Sequence, residues 1–246
     1  MKVTMTRKIV FLLAIGLAVL PGVAQARRRP PVPEPQTSGT SVVPTLDSVL
    51  ADMDKAAAEF KTAEADLEQT QFTKVVNETD TQKGTVFFQR KGSSMEMMVV
   101  FKQPQEKYVL YSGNALQVYQ PSIEQVNKYD LSKHKQEVDT FLTLGFGGRG
   151  HDLPKSFDVK FEGVEMLGGI RTAKLELVPK NPQARNAASR ILLWIDLARG
   201  VSVQQQFFEP SGDYRLAKYS NIKLNQNLSS DTFKLKTTSK TKVVTP

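Results

Sequence analysis

The chain has 246 residues, 33 Lys and Arg against 25 Asp and Glu, a net charge of +8 and no cysteine. That length supports a sizeable core. The missing cysteines exclude a disulfide framework, and two histidines leave little material for a metal centre.

Lys2, Arg7 and Lys8 precede an apolar run over 9–20, then Pro21 and Gly22, and Ala24-Gln25-Ala26 has the form of an A-x-A cleavage site. The run is short for a bilayer span, so residues 1–26 are expected to be a signal peptide. No cysteine follows the cleavage site, so an unlipidated, soluble mature protein is expected, starting at Arg27. Losing three cations lowers the charge to +5, which favours weak attraction to anionic surfaces. Residues 27–44 carry five prolines and read as a disordered tether ahead of a single domain over 45–246.

Leu46, Val49, Leu50, Met53, Ala57 and Phe60 recur at helical spacing, predicting an amphipathic helix over about 45–62 with Thr45 as its N-cap. The period then shifts to two at Ala63, Ala65 and Leu67, a strand running towards Phe72. Asn77 to Gly84 reads as a polar turn. Val86, Phe88 and Arg90 share a phase of the next strand. In SMEMMVVFK, Met95, Met97, Val99 and Phe101 occupy one face. Methionine is flexible and polarisable, suited to apolar surfaces that accept variable partners. A plain core strand is the simpler reading.

Short strands are predicted at 108–111, 116–119 and 125–131, and a short helix through Val138, Phe141 and Leu142, with Gly145 at its C′ position. Further strands follow at 156–161, 171–178, 191–196, 201–208, 214–222 and 233–235, with hairpin turns at DLARG (196–200) and PSGD (210–213). The tail from Thr237 is expected to fray. With no β-α-β alternation, the fold class is α+β around a long antiparallel sheet.

The pattern G-x-G-x-x-G at Gly145, Gly147 and Gly150 lacks the preceding strand and following helix of a dinucleotide site, and reads as a mobile loop. His134 lies between two lysines, and neither histidine has ligand spacing to another. Arg90 and Lys91 beside Phe87 and Phe88 make too thin a basic-aromatic platform for nucleic acid. No enzyme, metal or cofactor is expected.

GTVFFQR (84–90), FKQP (101–104), LYSG (110–113), LQVYQP (116–121), ILLWIDLARGVSVQQQFFEPSGD (191–213) and YSNIKLNQNLSSDTFKLK (219–236) together resemble the periplasmic outer-membrane lipoprotein carrier family (LolA). The resemblance spans about 46–236. It implies an incomplete antiparallel β-barrel, a half-barrel closed by the N-terminal and mid-chain helices as a lid. It further implies a periplasmic monomer that takes acylated lipoproteins from an inner-membrane lipoprotein-releasing transporter to an outer-membrane acceptor. Met95, Met97, Val99 and Phe101, with Val86, Phe88 and the helix residues Leu50, Met53 and Phe60, would line the lipid cavity. Arg90 matches the family's arginine that holds the lid. The same fold also admits a carrier of other lipids or a lipoprotein-sensing regulatory module.

Overall fold

The computed structural model describes residues 43–92 and 94–246. The expected signal peptide, and the expected tether up to residue 42, lie outside the described residues. Helix α1 covers Leu46–Glu59. Thr45 Oγ1 accepts from the Ser48 N–H at 3.2 Å and Ser48 Oγ accepts from the Thr45 N–H at 3.0 Å, a reciprocal cap. The helix stops at Phe60, earlier than expected, because Ala63, Ala65 and Leu67 bury their alternating face in the first strand.

Twelve strands form one open sheet: β1 Thr62–Thr73, β2 Glu78–Lys91, β3 Ser94–Gln103, β4 Lys107–Ser112, β5 Ala115–Gln120, β6 Gln125–Asp130, β7 Phe157–Leu167, β8 Ile170–Pro179, β9 Arg190–Asp196, β10 Ser202–Phe208, β11 Tyr214–Leu224 and β12 Lys242–Val244. Their spatial order is β12-β6-β5-β4-β3-β2-β1-β11-β10-β9-β8-β7, antiparallel throughout except for the parallel β12/β6 pair. Two meanders therefore meet where β1 pairs with β11. The sheet does not close, and β12 and β7 are its edges. Helices α2 (Lys135–Leu142) and α3 (Leu153–Ser156) lie between β6 and β7 in the chain, and α4 (Pro182–Ala187) between β8 and β9.

Several expectations change. The polar stretch from Asn77 belongs to β2 almost entirely. The turn is Lys74–Asn77, with Asn77 at φ 53°, because Gln82, Thr81 and Asp80 pair across to Gln69, Thr70 and Gln71. Cross-strand pairing overrides composition here. Residues 233–235 are not a strand. A 3-10 turn at Ser230–Phe233, capped by Ser229 Oγ accepting from the Asp231 N–H at 3.2 Å, packs on β3 instead. The expected frayed tail forms β12, whose Lys242 N–H donates to Glu124 O at 2.8 Å. Helix α2 caps at Thr143, so Gly145 lies two residues beyond the cap.

Among the described residues the core falls into two large clusters and a small one of Leu192, Trp194 and Val203. One large cluster gathers Phe60, Phe88, Met95, Met97, Phe101 and Tyr111 against β1–β5. The other large cluster packs Val49, Leu50 and Met53 onto Phe157, Leu175 and Ile191. Helix α1 contributes to both and so joins the two meanders. Each large side chain fully buried in this way contributes roughly 1.5–3 kcal/mol of transfer free energy.

Candidate functional site

The face of the sheet that carries α1 also holds a cavity of about 160 Å³. Val86 and Phe88 of β2 and Met97 and Val99 of β3 form one wall, placed there by the period of two. Phe207 of β10 and Arg215, Ala217 and Tyr219 of β11 form the other. Val138, Phe141 and Leu142 of α2 lie over it. Phe146 stacks on Phe88 at 5.0 Å and meets Tyr219 edge-on at 5.0 Å, joining the two walls.

Of the residues singled out in the sequence, Val86, Phe88, Met97 and Val99 line this cavity. Met95, Phe101 and Phe60 lie in the adjoining core but not in the lining. Leu50 and Met53 point elsewhere, into the cluster under β7–β9. The stripe of α1 follows the helix round, and its first turns meet the second meander while only its end meets the first. Both phases of β3 are buried, since Met98 is 1% exposed on the Glu96 side. Glu96 accepts there from Ser112 Oγ at 2.6 Å.

Arg90 sits at the exposed rim and not in an apolar wall. Its Nη2 donates to Ala57 O in the last turn of α1 at 3.2 Å and to Gly147 O at 2.6 Å. Its backbone N–H donates to Lys61 O at 2.8 Å, and its guanidinium lies 5.9 Å from the Phe60 ring centre. One side chain thus bridges the end of α1 and the glycine loop, using one carbonyl that the helix terminus leaves unpaired and one from the loop.

That loop is packed, contrary to the mobile loop expected. Leu144 and Phe146 are buried, and a Cβ on Gly150 would stand 2.3 Å from Leu50 O. Gly145 and Gly147 adopt φ of 77° and 75°, which only glycine takes readily. The loop then clasps the other end of α1. His151 Nδ1 is 2.7 Å from Asp54 Oδ2 and its Nε2 3.3 Å from Asp47 Oδ1, while its backbone N–H donates to Asp54 Oδ1 at 3.2 Å. These hydrogen bonds to Asp54 and Asp47 raise the His151 pKa above 6.5. Burial works to raise Asp54, but the hydrogen bonds from His151 and the charge of Arg149 outweigh it and hold the carboxyl low.

Helix α2 has no fully buried residue. Tyr111 is buried beneath it and donates to Asp139 Oδ1 at 2.8 Å, and Lys135 Nζ donates to the other carboxylate oxygen at 2.7 Å. Burial, and then the bond to Asp139, push the phenol up, so it stays a neutral donor. Tyr111, Arg215 and Tyr219 were not singled out in the sequence. The signal was present for β11, where alternation places Arg215, Ala217 and Tyr219 on one phase. Among the described residues no group of three acidic, His or Cys side chains converges to hold a metal, and no helix is long and apolar enough to cross a membrane.

Among curated proteins none matches the chain. Solved structures do. An uncharacterised conserved protein from Thermus thermophilus superposes with a TM-score of 0.53 at 13% identity, over 81% of this chain and 98% of that one. A LolA superfamily protein from Nitrosomonas europaea (TM-score 0.39, 16% identity, 79% and 99% covered) and the lipoprotein LppX of Mycobacterium tuberculosis (0.46, 14%, 75% and 99%) are more distant in shape. The model of the family described as outer membrane lipoprotein carrier protein LolA matches residues 58–236, from the last turn of α1 to beyond the 3-10 turn at Ser230–Phe233. An open antiparallel sheet with helices over its apolar face, carried by a sequence that fits this model across most of its length, makes the chain a member of the LolA family.

Proposed function

We propose that this protein is a non-catalytic carrier outside the cytoplasm, in the periplasm, which holds the acyl chains of lipoproteins in the cavity between β2–β3 and β10–β11 while they pass from inner to outer membrane. The observation that carries the reading is an apolar cavity roofed by a helix with no fully buried residue. Its 160 Å³ matches the size of cavity that takes a single aromatic ring, about 150 Å³. An acyl chain therefore enters only if α2 swings away, which costs the contacts of Val138, Phe141 and Leu142 and the Tyr111–Asp139 bond. Each methylene brought in returns about 0.8 kcal/mol. A modest roof and an adaptable methionine wall make both loading and release accessible.

In this reading Arg90 is the latch that holds α1 and the glycine loop together, and an inner-membrane releasing transporter and an outer-membrane acceptor are the donor and recipient. The test is displacement of an environment-sensitive probe from the purified protein by lipopeptide. Wild type should bind in the micromolar range and release the probe to lipopeptide. Met97→Glu should lose binding while keeping its circular dichroism. Unchanged binding by that variant would make these residues plain core. Mass spectrometry of co-purified lipid separates lipoproteins from other lipids as cargo.

A further inference from the structure

The chain that leads into β12 is one-sided in charge. Residues 232–246 hold Lys234, Lys236, Lys240 and Lys242 and no acid. Lys234 pairs with Asp231 at 2.9 Å, whereas Lys240 and Lys242 are exposed and make no ion pair among the described residues. The acid beside them, Glu124, accepts from Thr238 Oγ1 at 3.2 Å, and its backbone carbonyl accepts from the Lys242 N–H.

The same corner is apolar as well as basic. Eight large apolar side chains are exposed among the described residues, and Ile123, Val243 and Val244 are three of them. They are 59%, 65% and 41% exposed. Lys242 pairs with Gln125 and Val243 with Val126, so Ile123 and the two valines lie along one edge of the sheet, where β12 is the last strand. Lysine on an edge strand keeps other sheets away. Exposed valine does the reverse, so edge protection accounts for the cations and leaves the valines without a reason. A second copy of the chain would bring lysine against lysine. The headgroup layer of an anionic bilayer suits both, since it neutralises cations and takes up aliphatic side chains.

We propose that the β12 edge is a docking strip for anionic membranes, with Lys240 and Lys242 at the lipid phosphates and Ile123, Val243 and Val244 among the headgroups. Two cations and three aliphatic side chains make a weak, reversible contact. The inference does not depend on what the cavity holds, and lipopeptide displacement from the cavity is read separately.

The experiment is co-sedimentation of the full mature chain with vesicles of phosphatidylcholine, alone or with about one third phosphatidylglycerol. Wild type should bind the anionic vesicles, leave them as salt is raised, and ignore the neutral ones. Lys240→Gln/Lys242→Gln should bind about ten- to thirtyfold more weakly, the worth of two cations near an anionic surface. Val243→Ser/Val244→Ser should weaken binding to the same vesicles about tenfold. All four side chains are exposed, so both variants should keep the circular dichroism of wild type. Lys55→Gln/Lys155→Gln removes two exposed cations elsewhere and should bind nearly as wild type does. An equal loss in that control would make the attraction one of net charge and overturn the strip. Binding unaltered in either β12 variant, or absent in wild type, overturns it too. Self-association of wild type that the valine variant abolishes would make this edge an interface between copies instead.

Discussion

Two residues make their consequences measurable singly. Arg90 holds carbonyls from two segments, Ala57 and Gly147, so in the proposed carrier its loss weakens the closed arrangement of α1 and loop whose return would expel the acyl chain at hand-off. Arg90→Leu is expected to load a labelled lipoprotein as wild type does and to transfer it about fivefold less to acceptor membranes, for about 1 kcal/mol of lost bonding. Transfer equal to wild type removes Arg90 from the hand-off. Lys107 is the opposite case, a cation that burial pushes down to about 8, placed over the Phe101 ring at 4.6 Å and bonded to Gln82. The unfolded chain keeps that proton up to the ordinary value of 10.5, so it binds more protons than the folded one between 8 and 10.5. Stability contributed at this site should rise across that window, by up to about 3 kcal/mol. Denaturant unfolding of wild type and Lys107→Met at several pH values isolates it. A difference between the two that is flat from pH 8 upward contradicts the burial of a charged amine.

At the level of elements, α1 is held at both ends by one segment. Residues 147–151 supply the Gly147 carbonyl to Arg90 beside its C-terminus and His151 to Asp54 and Asp47 nearer its N-terminus. The sign for His151 follows from its raised pKa. The imidazolium that pairs with the two carboxylates is present in full below 6.5, and its stabilisation is lost as pH rises through the higher folded value. Amide exchange in residues 145–152 should therefore be slower at pH 6 than at pH 8.5, after correction for the intrinsic rate. His151→Ala should abolish that difference. A pH-independent protection in wild type would mean that Gly150, seated against the Leu50 backbone, holds the loop without the histidine. Helix α2 is fastened more lightly, by the bond from Tyr111 to its Asp139 and by three half-buried apolar side chains, Val138, Phe141 and Leu142. Of the elements over the cavity it has the least to lose by moving.

At the scale of the molecule, an open sheet leaves two edges to manage. The β7 edge carries Gly163 at φ 124° at a register shift, a bulge that interrupts its hydrogen-bonding row. The other edge is covered by β12, three exposed residues paired in parallel with β6. Because Lys242, Val243 and Val244 bury so little, truncation after Lys236 should lower the unfolding free energy by no more than about 1 kcal/mol. It should uncover the β6 edge all the same. Sedimentation velocity is expected to show self-association of the truncated protein at concentrations where the full chain does not associate. A truncated form that sediments as the full chain does would mean that β12 does not guard this edge.

Alternation along SMEMMVVFK and the first strand, and the helical stripe of 46–60, were legible because period alone tells an amphipathic strand from a helix. They gave the α+β class and the shared faces of Val86, Phe88, Met97 and Val99, whose place in a cavity was expected only from the family resemblance. The sum of short motifs pointed to the family before any fold was seen. What depended on long-range pairing was not legible. The polar residues 78–84 become strand only because β1 lies opposite them, and the tail becomes β12 only because β6 offers a free edge. The glycine loop read as mobile because its partners, Leu50, Asp54 and Ser202, are distant in sequence. Arg215 is an arginine in a strand of mixed polarity until β10 and β2 close around it. Local chemistry fixed which face each element would bury. Which elements share that face, and so what lines the cavity, was decided by contacts between residues far apart along the chain, whose geometry no local period encodes.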